Sequence, residues 1–232
     1  MPLLSTFELL VKQIAPTDNL DKLPPKIAAQ LEKVARRVVQ GYFLTIANTT
    51  NSDANIRLTF TATTPNLNLA DTTIISDILN NVNETFNLTP VPGNPKKFTF
   101  NLSIPAHDTA LVTLLPALEN LDLFTGAKNL EIRGYVTISR AFLFGGPTYD
   151  LLVTPEHRGT FLPKNLDDSV PDFDQIAYAL PTASGGSLVT LKSFVIGGGI
   201  PVDNSSATED MQELISLMAE RVDELEQRLE SA

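Results

Sequence analysis

Asn55-Ile56-Arg57-Leu58-Thr59-Phe60-Thr61-Ala62-Thr63 alternates apolar and polar residues without a break. In an extended chain Ile56, Leu58, Phe60 and Ala62 therefore share one side, and Arg57, Thr59, Thr61 and Thr63 the other. Residues 97–104 repeat the scheme with Phe98, Phe100, Leu102 and Ile104 inward, and residues 130–138 do so through Leu130, Ile132, Val136 and Ile138. β-Branched or aromatic runs at 42–47, 110–115, 149–153 and 188–196, bounded by Asn, Pro or Gly, read as further strands. About seven strands, each with one polar face and no long helix between them, predict a mainly β domain over 41–199, an antiparallel β-sandwich of immunoglobulin-like or jelly-roll-like form.

The segment TIANTTNSDANIRLTFTATTP at 45–65 resembles strand-and-turn segments of immunoglobulin-like sandwiches. That resemblance implies the sandwich alone, because a fold carries no activity by itself. Two connections exceed ordinary loop length, 64–95 and 139–187, and long excursions are where functional surface tends to lie. The first is expected to hold a helical turn at 73–79 and an edge strand near 85–88.

Outside 41–199 the period changes from 2 to 3.6. Leu4, Phe7, Val11 and Ile14 follow steps of three, four and three behind Ser5 as an N-cap, which predicts a short amphipathic helix. A second helix is expected over 20–40, with Ile27, Leu31, Val34 and Val38 on one stripe, Pro24 and Pro25 in its first turn and Gly41 ending it. Together these make residues 1–40 an N-terminal helical arm. Residues 200–208 read as a linker. Beyond it Met211, Ile215, Met218, Val222, Leu225 and Leu229 are spaced 4, 3, 4, 3 and 4, which predicts a coiled-coil-like helix over 209–232 with a single narrow apolar seam.

The chain has 232 residues, 43% hydrophobic and 19% charged, with a net charge of −10, so it is a folding chain whose overall charge opposes nucleic-acid binding. The charge is segregated. Residues 22–40 form a basic arm with Lys26, Lys33, Arg36 and Arg37, whereas 209–232 are strongly acidic. With no cysteine, thiol catalysis, thiolate metal sites and disulfides are excluded. No apolar run reaches the length of a membrane span and no secretory signal is visible, which favours a cytoplasmic setting.

Motifs for chemistry are sparse. Asp167, Asp168, Asp172 and Asp174 form an acidic loop that could take calcium, but their spacing lacks the EF-hand order and a solvated loop is the simpler reading. His157, flanked by Glu156 and Arg158, has no nucleophile elbow to serve, and His107 follows Pro105 at the start of a strand; both read as histidines without a catalytic role. The glycine run 197–199 fits a hinge better than a nucleotide loop. Sequons at Asn48, Asn83, Asn87, Asn101 and Asn204 read as chance products of an Asn- and Thr-rich chain. No catalytic residue and no cofactor are assigned. The expected function is a non-enzymatic structural or scaffolding protein that forms homo-oligomers through its terminal helices. The alternative is a sandwich that binds a ligand or carbohydrate at the 139–187 excursion.

Overall fold

The alternating runs build neighbouring strands of an antiparallel sheet. The computed structural model describes residues 1–15, 20–64, 67–78, 82–117, 119–142, 146–163 and 174–193. In it β3 (Ala54–Thr64) lies between β7 (Asn94–Ile104) and β9 (Leu130–Arg140), with Phe60 opposite Phe98 on one side and Val136 on the other. The residues that alternate inward, Ile56, Leu58, Phe60, Phe98, Phe100, Ile132, Val136 and Ile138, are all buried.

β1 (Leu3–Gln13) flanks β9 on its other side. This corrects the expected N-terminal helix. The register shifts between Leu3 and Ser5, so Leu4 is an extra residue in a bulge, after which Ser5, Phe7, Leu9 and Val11 point inward with strand parity. The bulge sets Leu4 three positions from Phe7, and that is what imitated a helical stripe. Opposite Phe7 stands Gly134, where an added Cβ would collide with the carbonyl oxygen of Thr61 and with the Phe7 ring.

The second expected helix is also shorter than the sequence suggested. A 3-10 turn at Leu20–Lys22 and α1 (Pro25–Val34) occupy its first half, and the chain is extended again from β2 (Arg37–Asn48), with Gly41 in mid-strand. β-Branched Val38 and Val39 and the aromatic pair Tyr42 and Phe43 favour that strand. Residues 1–40 are therefore no separate arm, since β1 and the start of β2 belong to the sheet.

β2 pairs along its whole length with β10 (Tyr149–Phe161), from Leu151 opposite Asn48 to Phe161 opposite Val38. The free edge of β2 is shared. β1 occupies its first part, Gln13 opposite Arg37 to Leu10 opposite Gln40, and β8 (Thr109–Pro116) its second, Leu114 opposite Tyr42 to Thr109 opposite Ala47. The sheet forks at Gly41. Beyond β8 lie β4 (Thr72–Asp77) and β5 (Glu84–Phe86), beyond β7 lies β6 (Thr89–Val91), and β10 carries β11 (Asp174–Ala179) and β12 (Leu188–Leu191) end to end on its far edge.

The result is mainly β and antiparallel, as expected, but the strands hydrogen-bond in one continuous twelve-stranded sheet that curls around its core. Two separate sandwich sheets are not what the ladders describe. The helical turn expected at 73–79 falls largely on β4, and β10 and β11 lie inside the 139–187 excursion. Among the described residues α1 and α2 (Leu121–Thr125) are the two α-helices; Asn120 caps α2 and Gly126, at φ 89°, ends it. No helix among the described residues is long and apolar enough to cross a membrane. The linker 200–208, the glycines at 197–199 and the seam Met211, Ile215, Met218, Val222, Leu225 and Leu229 lie outside the described residues.

Candidate functional site: a buried polar joint and an uncovered sheet face

Where β1 parts from β2, its residues 5–8 cross the inner side of one rung of the sheet. That rung is Tyr42 on β2, His157 on β10 and Tyr178 on β11, successive partners across the three strands. The rings meet edge to face, Tyr42 to His157 at 6.3 Å and His157 to Tyr178 at 5.3 Å, and Tyr42 also closes a triangle with Phe7 and Phe60. His157, expected in a loop, is thus a mid-strand residue only 5% exposed.

Its ring nitrogens are both taken. Nε2 accepts the backbone N–H of Glu8 at 3.0 Å, so the ring proton sits on Nδ1 and points to the Tyr178 hydroxyl at 3.0 Å. Tyr178 in turn donates to Gln40 Oε1 at 3.3 Å, Gln40 Nε2 donates to Glu8 Oε2 at 3.2 Å, and Arg133 Nε donates to Glu8 Oε1 at 3.0 Å. Nearby, the hydroxyls of Ser5 and Tyr42 are 2.9 Å apart.

Desolvation sets the electrostatics of this joint. Burial pushes the His157 imidazole below its ordinary value of 6.5, and the Glu8 charge opposes that more weakly. Burial raises the Tyr42 phenol, and burial followed by Glu8 raises Tyr178. Glu8, His157, Tyr178 and Gln40 form a closed cycle of donors and acceptors, in which Arg133 also holds the Glu8 carboxylate. Such a cycle ties β1 to β10 and β11, and it presents no nucleophile or unengaged base.

The other polar cluster in the core's margin is also internal. The buried carboxylate of Asp71 accepts Lys128 Nζ on both oxygens at 2.6 Å, with Asn68 and Asn120 amides at 2.9 and 3.2 Å, joining the loop before β4 to the loop around α2.

The residues of the expected basic arm diverge. Arg37 donates to the carbonyls of Val11, Leu123 and Lys128 and to Asn129, and burial lowers its ordinary pKa, so it holds α2 against the sheet. Arg36 donates to the carbonyls of Phe161 and Leu162 and pairs with Asp174, an exposed residue that opens β11. Both brace backbone carbonyls of the sheet and its loops, and neither lies on a helix. Lys26 is exposed on α1, and the Lys33 side chain lies outside the described residues.

Asp167, Asp168 and Asp172 also lie outside the described residues, and among those described no group of three or more His, Asp or Glu could hold a metal ion. His107 sits in a left-handed turn, φ 58°, with Nε2 2.7 Å from Asn51 Oδ1. Asn48, one of the sequons, is 1% exposed and donates its amide to the carbonyls of Ser52, Ile104 and Pro105, so its side chain organises two loops and is inaccessible to a glycan.

The outer side of the sheet carries the second candidate. On β1, β9, β3 and β7 it is polar: one row runs Thr137, Thr59, Thr99 and Thr89 across β9, β3, β7 and β6, flanked by Arg57, Asn101 and Tyr135. Across β4, β8, β2, β10 and β12 it is mixed: Thr73 and Asp77 on β4, Thr109 on β8, Thr45 on β2 and Asp150, Thr154, Glu156 and Arg158 on β10 stand among apolar residues. Ile75, Thr113 and Phe43 form one rung and Leu111 lies beside it; on the next, Leu115 folds over Gly41, while Leu152 and Leu188 pair at the far end. These side chains crowd Thr113 to 6% exposure, Arg158 stacks on the Phe43 ring at 4.8 Å, and Leu152 and Leu188 remain exposed. Strand parity in the sequence could have revealed the outward apolar residues Phe43, Leu111 and Leu115 of β2 and β8; the polar joint has no such signal, since its members are up to 149 positions apart. No protein-family model, no curated protein and no solved structure matches the chain.

Proposed function

We propose that this chain is a non-enzymatic structural protein whose sheet body self-assembles, using the exposed leucines at the β10–β12 end of the outer face and the helix expected at 209–232. The adjoining pair Leu152 and Leu188, 45% and 56% exposed, carries the reading. Large apolar side chains left exposed side by side mark a contact surface. The closed hydrogen-bond cycle around His157 supports the non-enzymatic part, because its groups are engaged in holding strands together. Light scattering on the full chain over a range of concentrations is expected to give masses above the monomer that rise with concentration. A strictly monomeric protein throughout that range overturns the reading, and a chain ending at Gly199 with unchanged mass removes the helix from it.

A second reading is favoured by the polar outer face, where Tyr135, paired with Thr61 and Thr6, offers a partly exposed ring among threonines as carbohydrate-binding sheets do. It moves the expected ligand surface from the 139–187 excursion to β9, β3 and β7. Glycan-array binding that is lost in Tyr135→Ala would promote it over assembly.

A further inference from the structure

We propose that the outer edge of β11 pairs with the same edge of a second copy of this chain, antiparallel and centred on Ala177, so that one sheet runs through both copies. The inference rests on the self-assembly reading and names a contact which that reading does not contain.

The ladder fixes which backbone groups of β11 face outward. Leu180 N–H donates to the Pro155 carbonyl and Val153 N–H to the Ser187 carbonyl, both at 2.8 Å, whereas Leu162 N–H turns the other way, to the Arg37 carbonyl of β2. Odd-numbered residues of β10 therefore bond toward β11 and β12, and even-numbered ones toward β2. Asp174, Ile176 and Tyr178 stand opposite Phe161, Gly159 and His157, so their backbone groups are engaged by β10. Those of Gln175, Ala177 and Ala179 point away from the sheet. Among the described residues β10 is the only strand laddered to β11, and all of β11 except Ile176 is exposed. The turn that follows folds inward to β1, where Ala183 N–H donates to the Leu4 carbonyl at 2.8 Å.

An edge of this kind is a template for pairing unless something blunts it. The other strands that end the sheet are shorter: β5 and β6 have three residues each, β6 with Pro90 in its middle, and β12 has four. β11 has six, in unbroken register, without Lys, Arg, Pro or Gly, and its one charge, Asp174, already pairs with Arg36. Its own sequence selects a second copy as the partner. With Ala177 opposite Ala177 and Gln175 opposite Ala179, the outward groups of the two strands make about six hydrogen bonds. In that register Ile176 meets Tyr178 of the second copy, and Tyr178 meets its Ile176, at the close, non-hydrogen-bonded positions where a β-branched and an aromatic side chain stabilise a sheet. Asp174 meets Leu180, so no like charges stand opposite one another. The two-fold axis at Ala177 closes the pair as a dimer and not a filament.

Because the chain has no cysteine, a single introduced one reports the contact. In full-length Ala177→Cys the two introduced residues stand opposite each other on the axis with Cα atoms about 5.5 Å apart, within disulfide reach, whereas those of Ala179→Cys are offset by about 13 Å along the strands. Under mild oxidation Ala177→Cys is expected to give a disulfide-linked dimer, and Ala179→Cys, or Asn101→Cys on the polar face, only the yield of random collision. In light scattering of full-length, cysteine-free variants, Ala177→Lys and Ala177→Glu each set like charges on the axis and are expected to raise the dimer dissociation constant about fivefold. Mixing the two restores dimers. Equal cross-linking at the three positions, or Lys and Glu variants that associate like the unsubstituted chain, overturns the inference. Should the full chain still assemble in that case, self-assembly stands on the leucines and the terminal helix; a chain monomeric at every concentration overturns both.

Discussion

The two halves of the sheet share an inner face and differ on the outer one. Where β9, β3 and β7 face outward they carry Thr59, Thr61, Thr99, Thr137, Arg57 and Asn101, whereas β4, β8, β2, β10 and β12 carry Ile75, Leu111, Leu115, Phe43, Leu152 and Leu188. Both halves obey the same demand on the inside, since every inward residue must exclude water. Outside, the first half is a threonine ladder in which Thr59, Thr61 and Thr99 are themselves buried, and the second sets apolar residues among Asp77, Glu156 and Arg158. The contrast separates what holds the body together from what meets something else.

The largest effect should come from the shared inner face. Phe60 is fully buried and touches the rings of Phe7 and Tyr42, so Phe60→Ala is expected to cost about 3–5 kcal/mol in urea or thermal unfolding and to lower both halves in one transition. Two separate transitions would break the idea of a common core.

A smaller difference should divide inner from outer glycines. Gly134→Ala pushes a methyl into the Thr61 backbone and the Phe7 ring and is expected to cost about 1–3 kcal/mol. At Gly41 the nearest obstacle is the end of the Leu115 side chain on the outer face, which can swing aside, although the Leu114 carbonyl is 3.0 Å away. Gly41→Ala should therefore cost less, and equal losses of denaturation midpoint would show the outer face to be as tightly packed as the inner.

The joint between the halves should respond to pH. His157 folds as a neutral acceptor with its pKa held below the ordinary 6.5, so on acidification the unfolded chain takes up this proton first. Its contribution is complete above pH 6.5, is lost as pH falls from 6.5 toward the lowered folded value, and stops changing below that. The slope from this one group cannot exceed about 1.4 kcal/mol per pH unit. In His157→Gln, whose amide oxygen can still accept from Glu8 N–H, the stability profile between pH 6.5 and 5 should be flatter; an identical profile would remove His157 from the joint's pH response.

The strands β3, β7 and β9 were legible because one wet face leaves a period of 2 in the sequence. β1 was not, because the bulge at Leu4 broke its parity, and the resulting spacing of Leu4, Phe7 and Val11 matched a helix equally well. The first half of β2 was lost for a related reason: Val34 and Val38 continue the stripe of α1 across the point where the chain becomes extended. Of the candidate site, His157 was noticed, but its partners Glu8, Gln40, Tyr42 and Tyr178 were not, since nothing local distinguishes a polar residue facing inward from one facing water.

The sequence by itself determined a cysteine-free, mainly β antiparallel body, the inward sets of its alternating strands, and the segregation of acidic charge beyond 209. These are properties of spacing and composition, which local geometry translates directly. Only the tertiary structure decided that the first residues are a central strand, that Arg36 and Arg37 brace carbonyls, and that a histidine on β10 receives a hydrogen bond from the backbone of β1. Those outcomes depend on which edge of β2 each strand occupies, and edge choice is settled by the long-range fit of inner faces around one core.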